Sequence, residues 1–397
     1  MKSLRWVALL CAVCFGLVAC AGKGATPLSP EDTPPNHYLQ GMQLIDQGKA
    51  AEADTRFARA VELEPGYAPG LAGQALVRAL GVEGQTDAKH AKLEIDAFRD
   101  LLRKAWGKAS EREAKFIVST TAIRAETVAK ATGWLKAAWA WHGKATTLRN
   151  VDEGALPYYR NTEALSHFMG RALYEAGEYA KAKDQLSLVV GADTGKWHEA
   201  ANALFARIQK IERAMAHYTV TGVAKAIAAK DTVSRADVAV LLVTELQWDK
   251  LFQGKLSAKP MPKATFMPAD VEGLPFQAEI MDVLKWNVRG LGTMYDAARH
   301  AELFKPMEPV TRKEMAFTLE DILIKVTGDG GQATRYFGQD SSPYPDVRPT
   351  EPWYNAVMNV VSRNLMETDL TGAFRPNDNL DGAELLLAVV RLRTALN

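Results

Sequence analysis

The chain has 397 residues, 47% of them hydrophobic, with 48 basic and 47 acidic side chains and a formal charge of +1. That is enough apolar material for two domains with cores of their own. The near-balance and even mixing of charge exclude a nucleic-acid binder of the usual basic kind and point to ordinary solvated faces.

Lys2 and Arg5 precede an apolar stretch from Trp6 to Ala19. Its length suits a signal peptide and falls short of the ~20 residues a membrane-spanning helix needs. It ends in Leu17-Val-Ala-Cys20, which resembles the bacterial lipobox. The resemblance implies a leader at 1–19, lipidation of Cys20 and, because Ala21 and not Asp follows, forwarding to the outer membrane with the body in the periplasm. An ordinary secretory signal or a plain anchor is the other reading. Acyl chains add ~0.8 kcal/mol of membrane affinity per buried CH₂, so several on one cysteine anchor it firmly. All three cysteines lie here, at 11, 14 and 20. A processed chain therefore has no disulfide framework, thiolate metal cluster or cysteine nucleophile. Residues 20–35 are rich in Gly, Pro and small polar residues and read as a tether.

Helical repeats are expected over 36–218. Residues 36–69 carry Gly41, Gly48, Ala53, Phe57, Ala60 and Pro65, and 163–196 carry Gly170, Tyr174, Gly177, Tyr179, Ala182 and Leu186. Small residues let two antiparallel helices approach, Phe57 fills the space between them, and Pro65 stops the second. The spacing resembles the tetratricopeptide (TPR) repeat, which implies a concave face for a protein partner. Residues 70–162 are expected to supply degenerate units. Ser110 to Glu113 reads as a capping box, and Trp134, Trp139 and Trp141 read as helix-packing core.

Over 219–397 one segment recurs three times: Val233-Ser-Arg-Ala-Asp, Val310-Thr-Arg-Lys-Glu and Leu380-Asp-Gly-Ala-Glu, each followed by an apolar helical run. Recurrence at this interval marks a tandem module. Ser234, Thr311 and Asp381 each stand three residues before an acid, the pattern of an N-terminal capping box. Three capped core helices account for all of this except Arg235 and Arg312. A cation in the first helical turn opposes the helix dipole, yet beside free N–H groups it suits an anion; arginine is also common on helix surfaces. Upstream of the last copy stand Tyr344-Pro-Asp346-Val, Pro352-Trp353-Tyr354 and Phe374-Arg-Pro376-Asn. Upstream of the middle copy stand Phe266-Met-Pro-Ala-Asp270-Val, Phe276, Gly290-Leu-Gly292 and Phe304-Lys-Pro306.

These segments resemble the S-layer homology (SLH) repeat with its Thr-Arg-Ala-Glu signature. The resemblance implies a mainly α, pseudo-threefold helical module that binds cell-wall polysaccharide or peptidoglycan. It makes Arg235 and Arg312 the ligand contacts, with Trp353 and Phe276 as apolar walls or as core. Two departures stand out: the first copy has a short upstream half, and Gly382 replaces the arginine of the third.

No catalytic, cofactor or metal signature is present. Gly191 to Lys196 falls one residue short of a phosphate loop, the seven histidines make no zinc pattern, and the acids from Asp369 to Asp381 lack the ligand alternation of an EF-hand. The sequence thus reads as a non-catalytic lipoprotein tethering the outer membrane to a wall polymer, without cofactor. The competing reading is an assembly or secretion accessory factor in which the TPR-like part does the work and the C-terminal repeats are structural. Arginine exposure separates the two, since ligand-binding arginines line an open groove and structural ones find partners inside the protein.

Overall fold

In a computed structural model of the protein, the described residues are 24–192, 195–216, 219–248, 251–252 and 267–396. The expected leader, Cys20 and the first residues of the tether lie outside them. The fold is mainly helical, with hairpins followed by a C-terminal helical module. The chain divides into two compact units between Leu204 and Phe205, ahead of the boundary expected at 218. No helix among the described residues is long and apolar enough to cross a membrane.

The first unit contains α1 (Pro34–Asp46), α2 (Ala50–Leu63), α3 (Ala68–Leu80), α4 (Ala88–Lys108), α5 (Arg112–Ala129), α6 (Trp134–Thr146), α7 (Glu163–Glu175) and α8 (Tyr179–Val190). Neighbours pair as hairpins, and α1, α3, α5 and α7 also pack in succession. Phe57 explains the first hairpin. It is fully buried, and a Cβ placed on Gly41 or on Gly73 would come within 2.4 Å of its ring. Three helices therefore close over one aromatic side chain, whose burial contributes roughly 2–3 kcal/mol. Gly170 does the same for α7 and α8, where a Cβ would meet Leu186 at 2.7 Å. The second helix stops at Leu63 and Glu64 turns extended, the conformation a residue before proline prefers.

Three local expectations differ from what is found. The 110–113 capping box does not form: α5 starts at Arg112 with Glu111 as an unbonded cap. Glu113 instead accepts the N–H of Asp152 at 2.8 Å, because the following loop returns to it. Of the tryptophan trio only Trp141 is buried, edge-on to Trp106 at 5.8 Å, while Trp139 is exposed. The described part of the tether is held against α2. Ala25 N–H donates to the Glu62 carbonyl at 2.7 Å, and Arg59 bonds Asp32 at 2.6 Å and the Thr26 carbonyl at 3.3 Å.

The second unit contains the later part of α9 (His198–Met215), then α10 (Gly222–Ala228), α11 (Arg235–Glu245) and α12 (Gln277–Lys285). A small hairpin follows, β1 (Met294–Asp296) antiparallel to β2 (Ala301–Leu303), with Tyr295 opposite Glu302. It ends with α13 (Arg312–Thr327), α14 (Tyr354–Ser362) and α15 (Gly382–Leu396). The three signature segments start α11, α13 and α15.

Candidate functional site

The residue just before each signature cap is apolar and buried: Val233, Val310 and Leu380. Their backbones close a ring. Val233 N–H donates to the Leu380 carbonyl at 3.0 Å, Leu380 N–H to Val310 at 2.8 Å, and Val310 N–H to Val233 at 3.1 Å. Three equivalent residues exchanging equivalent bonds define a pseudo-threefold axis. Around it each signature helix packs on the short helix of the next repeat: α11 on α12, α13 on α14, and α15 on α10. The module thus has three seams.

The helix starts follow from local chemistry. Ser234 Oγ accepts from Asp237 N–H at 3.3 Å while Asp237 accepts from Ser234 N–H at 2.9 Å, a closed capping box. In the second copy Thr311 N–H and hydroxyl both donate to Glu314. The third keeps half of the pattern. Asp381 accepts from Glu384 N–H at 2.8 Å, but the Glu384 carboxylate is turned onto Arg312.

Arg235 and Arg312 cross the first two seams rather than line an open groove. Arg235 is 8% exposed and donates to the carbonyls of Phe304 (2.8 Å), Gly290 (2.6 Å) and Gly292 (2.6 Å). Arg312 is 2% exposed, donates to the carbonyls of Phe374 and Glu367 at 2.6 Å each, and pairs with Glu384. Each guanidinium lies over the ring of its phenylalanine, at 4.8 Å for Phe304 and 4.7 Å for Phe374. Burial lowers both pKa values, that of Arg312 to about 10, which leaves Arg312 charged at neutral pH. The reason for the arrangement is the turn they hold. Loop carbonyls leaving regular structure need donors, and a planar guanidinium supplies several in a fixed fork.

That turn has a second support, in the aspartates of the Phe266-to-Val271 and Tyr344-to-Val347 segments. Asp270 accepts the N–H groups of Phe304 (2.9 Å) and Lys305 (2.6 Å). Asp346 does the same for Phe374 (2.8 Å) and Arg375 (2.6 Å). Lys305 and Arg375 both have φ of 56°, a left-handed conformation costing a side-chain-bearing residue ~1–2 kcal/mol, which the carboxylate clamp offsets. The aspartates recur in register with the Phe-x-Pro turns, the one sequence signal that pairs them.

Trp353 and Phe276 occupy the same place in their repeats, at the N-caps of α14 and α12, and both are half-buried. Lys313, the residue after Arg312, places its ammonium 4.7 Å from the Trp353 ring and donates to Asn377 Oδ1 at 2.6 Å.

The two sequence departures meet at the third seam. Gly382 stands where the arginine stands elsewhere, and its N–H donates to the Lys230 carbonyl at 2.9 Å. A Cβ there would lie 1.8 Å from the Ile227 carbonyl oxygen. The short upstream half of the first repeat supplies α10 but no long loop, so the arginine's carbonyl acceptors are missing and main chain takes the space. Each change requires the other.

The first unit has a cavity of about 370 Å³ among α1, α3, α5 and α7, lined in part by Asp46, Leu76, Leu80, Arg124, Phe168 and Arg171. Arg124 lies 4.6 Å from the Phe168 ring and donates to Tyr158 Oη (3.1 Å) and Asp46 (3.3 Å). Arg171 is exposed and has no partner among the described residues. Nearby, Lys196 donates to the Tyr158 carbonyl at 2.7 Å and lies over that ring, a packing role.

Residues 343–386 match the family model of the S-layer homology domain, which points to attachment at the cell envelope through cell-wall polymers. No curated protein and no solved structure matches the chain.

Proposed function

We propose that the protein is a non-catalytic envelope lipoprotein, anchored by Cys20 in the outer membrane and held to peptidoglycan or an associated polymer by its C-terminal module. The observation that carries this reading is the S-layer homology match over 343–386, lying inside a module whose three signature segments close one ring. In it Arg235 and Arg312 act by positioning: they hold the loops that shape the seams, and the wall polymer meets side chains on the rim, Trp353 and Phe276 among them. The first unit, with TPR-like spacing, offers its cavity to a protein segment. Exposed Arg171 beside Phe168 and Leu80 suits an apolar residue next to an acid. The test is co-sedimentation of the chain from residue 20, carrying Cys20→Ser, with purified sacculi. Retention supports the reading, and a wholly soluble protein refutes wall binding.

One observation favours the accessory-factor reading. Both signature arginines are buried and bonded to protein groups, as a purely structural module would have them. In that case Arg171→Glu abolishes capture of a protein partner, and sacculi retain nothing.

A further inference from the structure

Main chain and side chains fix residues 24–33 along the C-terminal end of α2. A Cβ on Gly24 would lie 1.8 Å from the Leu63 carbonyl oxygen, so the chain enters in direct contact with the helix end. Ala25 N–H then donates to the Glu62 carbonyl, Arg59 to the Thr26 carbonyl, and Leu28 N–H to Asp32 Oδ2 at 2.7 Å. Asp32 also accepts from Arg59 at 2.6 Å and lies 2.7 Å from His37 Nε2 in the first turn of α1. The backbone of Leu28 is thus held, yet the residue is 87% exposed. Residues 25–30 read Ala-Thr-Pro-Leu-Ser-Pro and carry no charge. Pro27 and Pro30 have no N–H, and Ala25 and Leu28 use theirs inside the protein, so little polar backbone is left to desolvate.

We infer that this strap is a membrane-contact element: it holds the first hairpin against the lipid surface, with Leu28 entering the boundary between headgroups and acyl chains. The inference rests on Cys20 as the lipid-bearing residue and adds where the first unit stands. Cys20 and Gly24 are four residues apart. A chain gains at most ~3.6 Å per residue, so their α-carbons lie within ~14 Å of each other whatever path joins them. Gly24 is fixed on α2, and the reach ends there. A free linker up to Pro34 would allow ~50 Å instead. An interfacial contact needs apolar side chains on a backbone whose polar groups are satisfied, and the strap offers both at a place the anchor cannot leave. Glu31 and Glu62 are both exposed at the edge of the strap. The contact is therefore with lipid as an apolar surface and does not depend on anionic headgroups.

The test uses the acylated chain, purified from membranes and reconstituted in phosphatidylcholine vesicles that carry a nitroxide near the headgroup. Acylation occupies the Cys20 sulfur and no cysteine follows it, so an introduced cysteine is the single site for a fluorescent label. A label on Leu28→Cys should be quenched at least about threefold more than one on Leu188→Cys. Leu188 is the control because it is 62% exposed and sits on α8, at the far end of the hairpin succession. A label on Glu64→Cys, exposed at the end of α2, should also be quenched more than the control, in low and high salt alike. Adding Asp32→Asn or Arg59→Gln should free the strap and bring Glu64 quenching down to the control level. Leu28 quenched no more than Leu188 overturns the bilayer contact while leaving the anchor standing. Glu64 quenching unchanged in both strap variants overturns the strap as the holding element. A chain whose mass shows no acyl group on Cys20 overturns the anchor and the inference together.

Discussion

Replacing Gly382 by alanine probes the closed third seam. The added methyl would lie 1.8 Å from the Ile227 carbonyl oxygen, 2.8 Å from its carbon and 3.0 Å from the Ala228 carbonyl carbon. All three atoms are main chain, so no side-chain rotation relieves the overlap, and α10 must move away from α15 by more than an ångström. Overpacking of this kind costs about 1–3 kcal/mol. The stretched Gly382–Lys230 hydrogen bond removes about 1 kcal/mol more, and the better helix propensity of alanine returns up to ~1 kcal/mol. The net is a loss of about 1–3 kcal/mol. Hydrogen exchange at the amides of Val233, Val310 and Leu380 reads it in the module itself, where the ring amides should exchange roughly 5- to 150-fold faster. Gly222→Ala is the internal control, since nothing lies within 4 Å of its added methyl. Exchange in Gly382→Ala within threefold of the parent would refute the close approach, and with it the link between the missing arginine and the short upstream half.

Other outcomes follow from the same geometry. Arg312→Ala leaves Glu384 and two loop carbonyls without their buried partner and should cost about 3–5 kcal/mol in thermal or denaturant melts; Arg312→Lys should rescue little, because one point charge cannot span the three acceptors. A loss below 1 kcal/mol would contradict the clamp. His167 is buried against Trp197, and burial first, then the charges of Arg171 and Arg124, lower its pKa to about 4. The folded protein therefore refuses a proton that the unfolded chain accepts. Stability is full above pH ~6.5 and falls by up to ~3 kcal/mol as pH drops toward 4, a slope that His167→Gln should flatten. Asp32 is held well below the ordinary carboxylate range, chiefly by its bond to Arg59. Asp32→Asn should free residues 25–33 and speed exchange of the Leu28 amide at least tenfold, and unchanged exchange would show that the segment is held by something else.

Local chemistry was legible in the sequence and long-range partnership was not. The caps at Ser234 and Thr311 depend on residues three apart, so their pattern carries them. Phe57 and its glycines were readable because one ring between two helices needs small neighbours, although the approach of Gly73 from α3 was not. The arginines show the limit: their type and place signalled a binding role, but the acceptors that bury them come from loops 55 to 69 residues away. Gly382 was visible as a departure, while its cause lies in a carbonyl of another repeat. At Ser110 to Glu113 a local signal lost to a loop bond from Asp152.

The most direct measurement is hydrogen exchange of the Cys20→Ser chain with and without bound sacculi. Added protection is expected in the second unit, concentrated at residues 311–313, 353–354 and 374–378, with the first unit unchanged. Protection confined to residues 34–190, or none in the presence of retained protein, would contradict attachment through the C-terminal module.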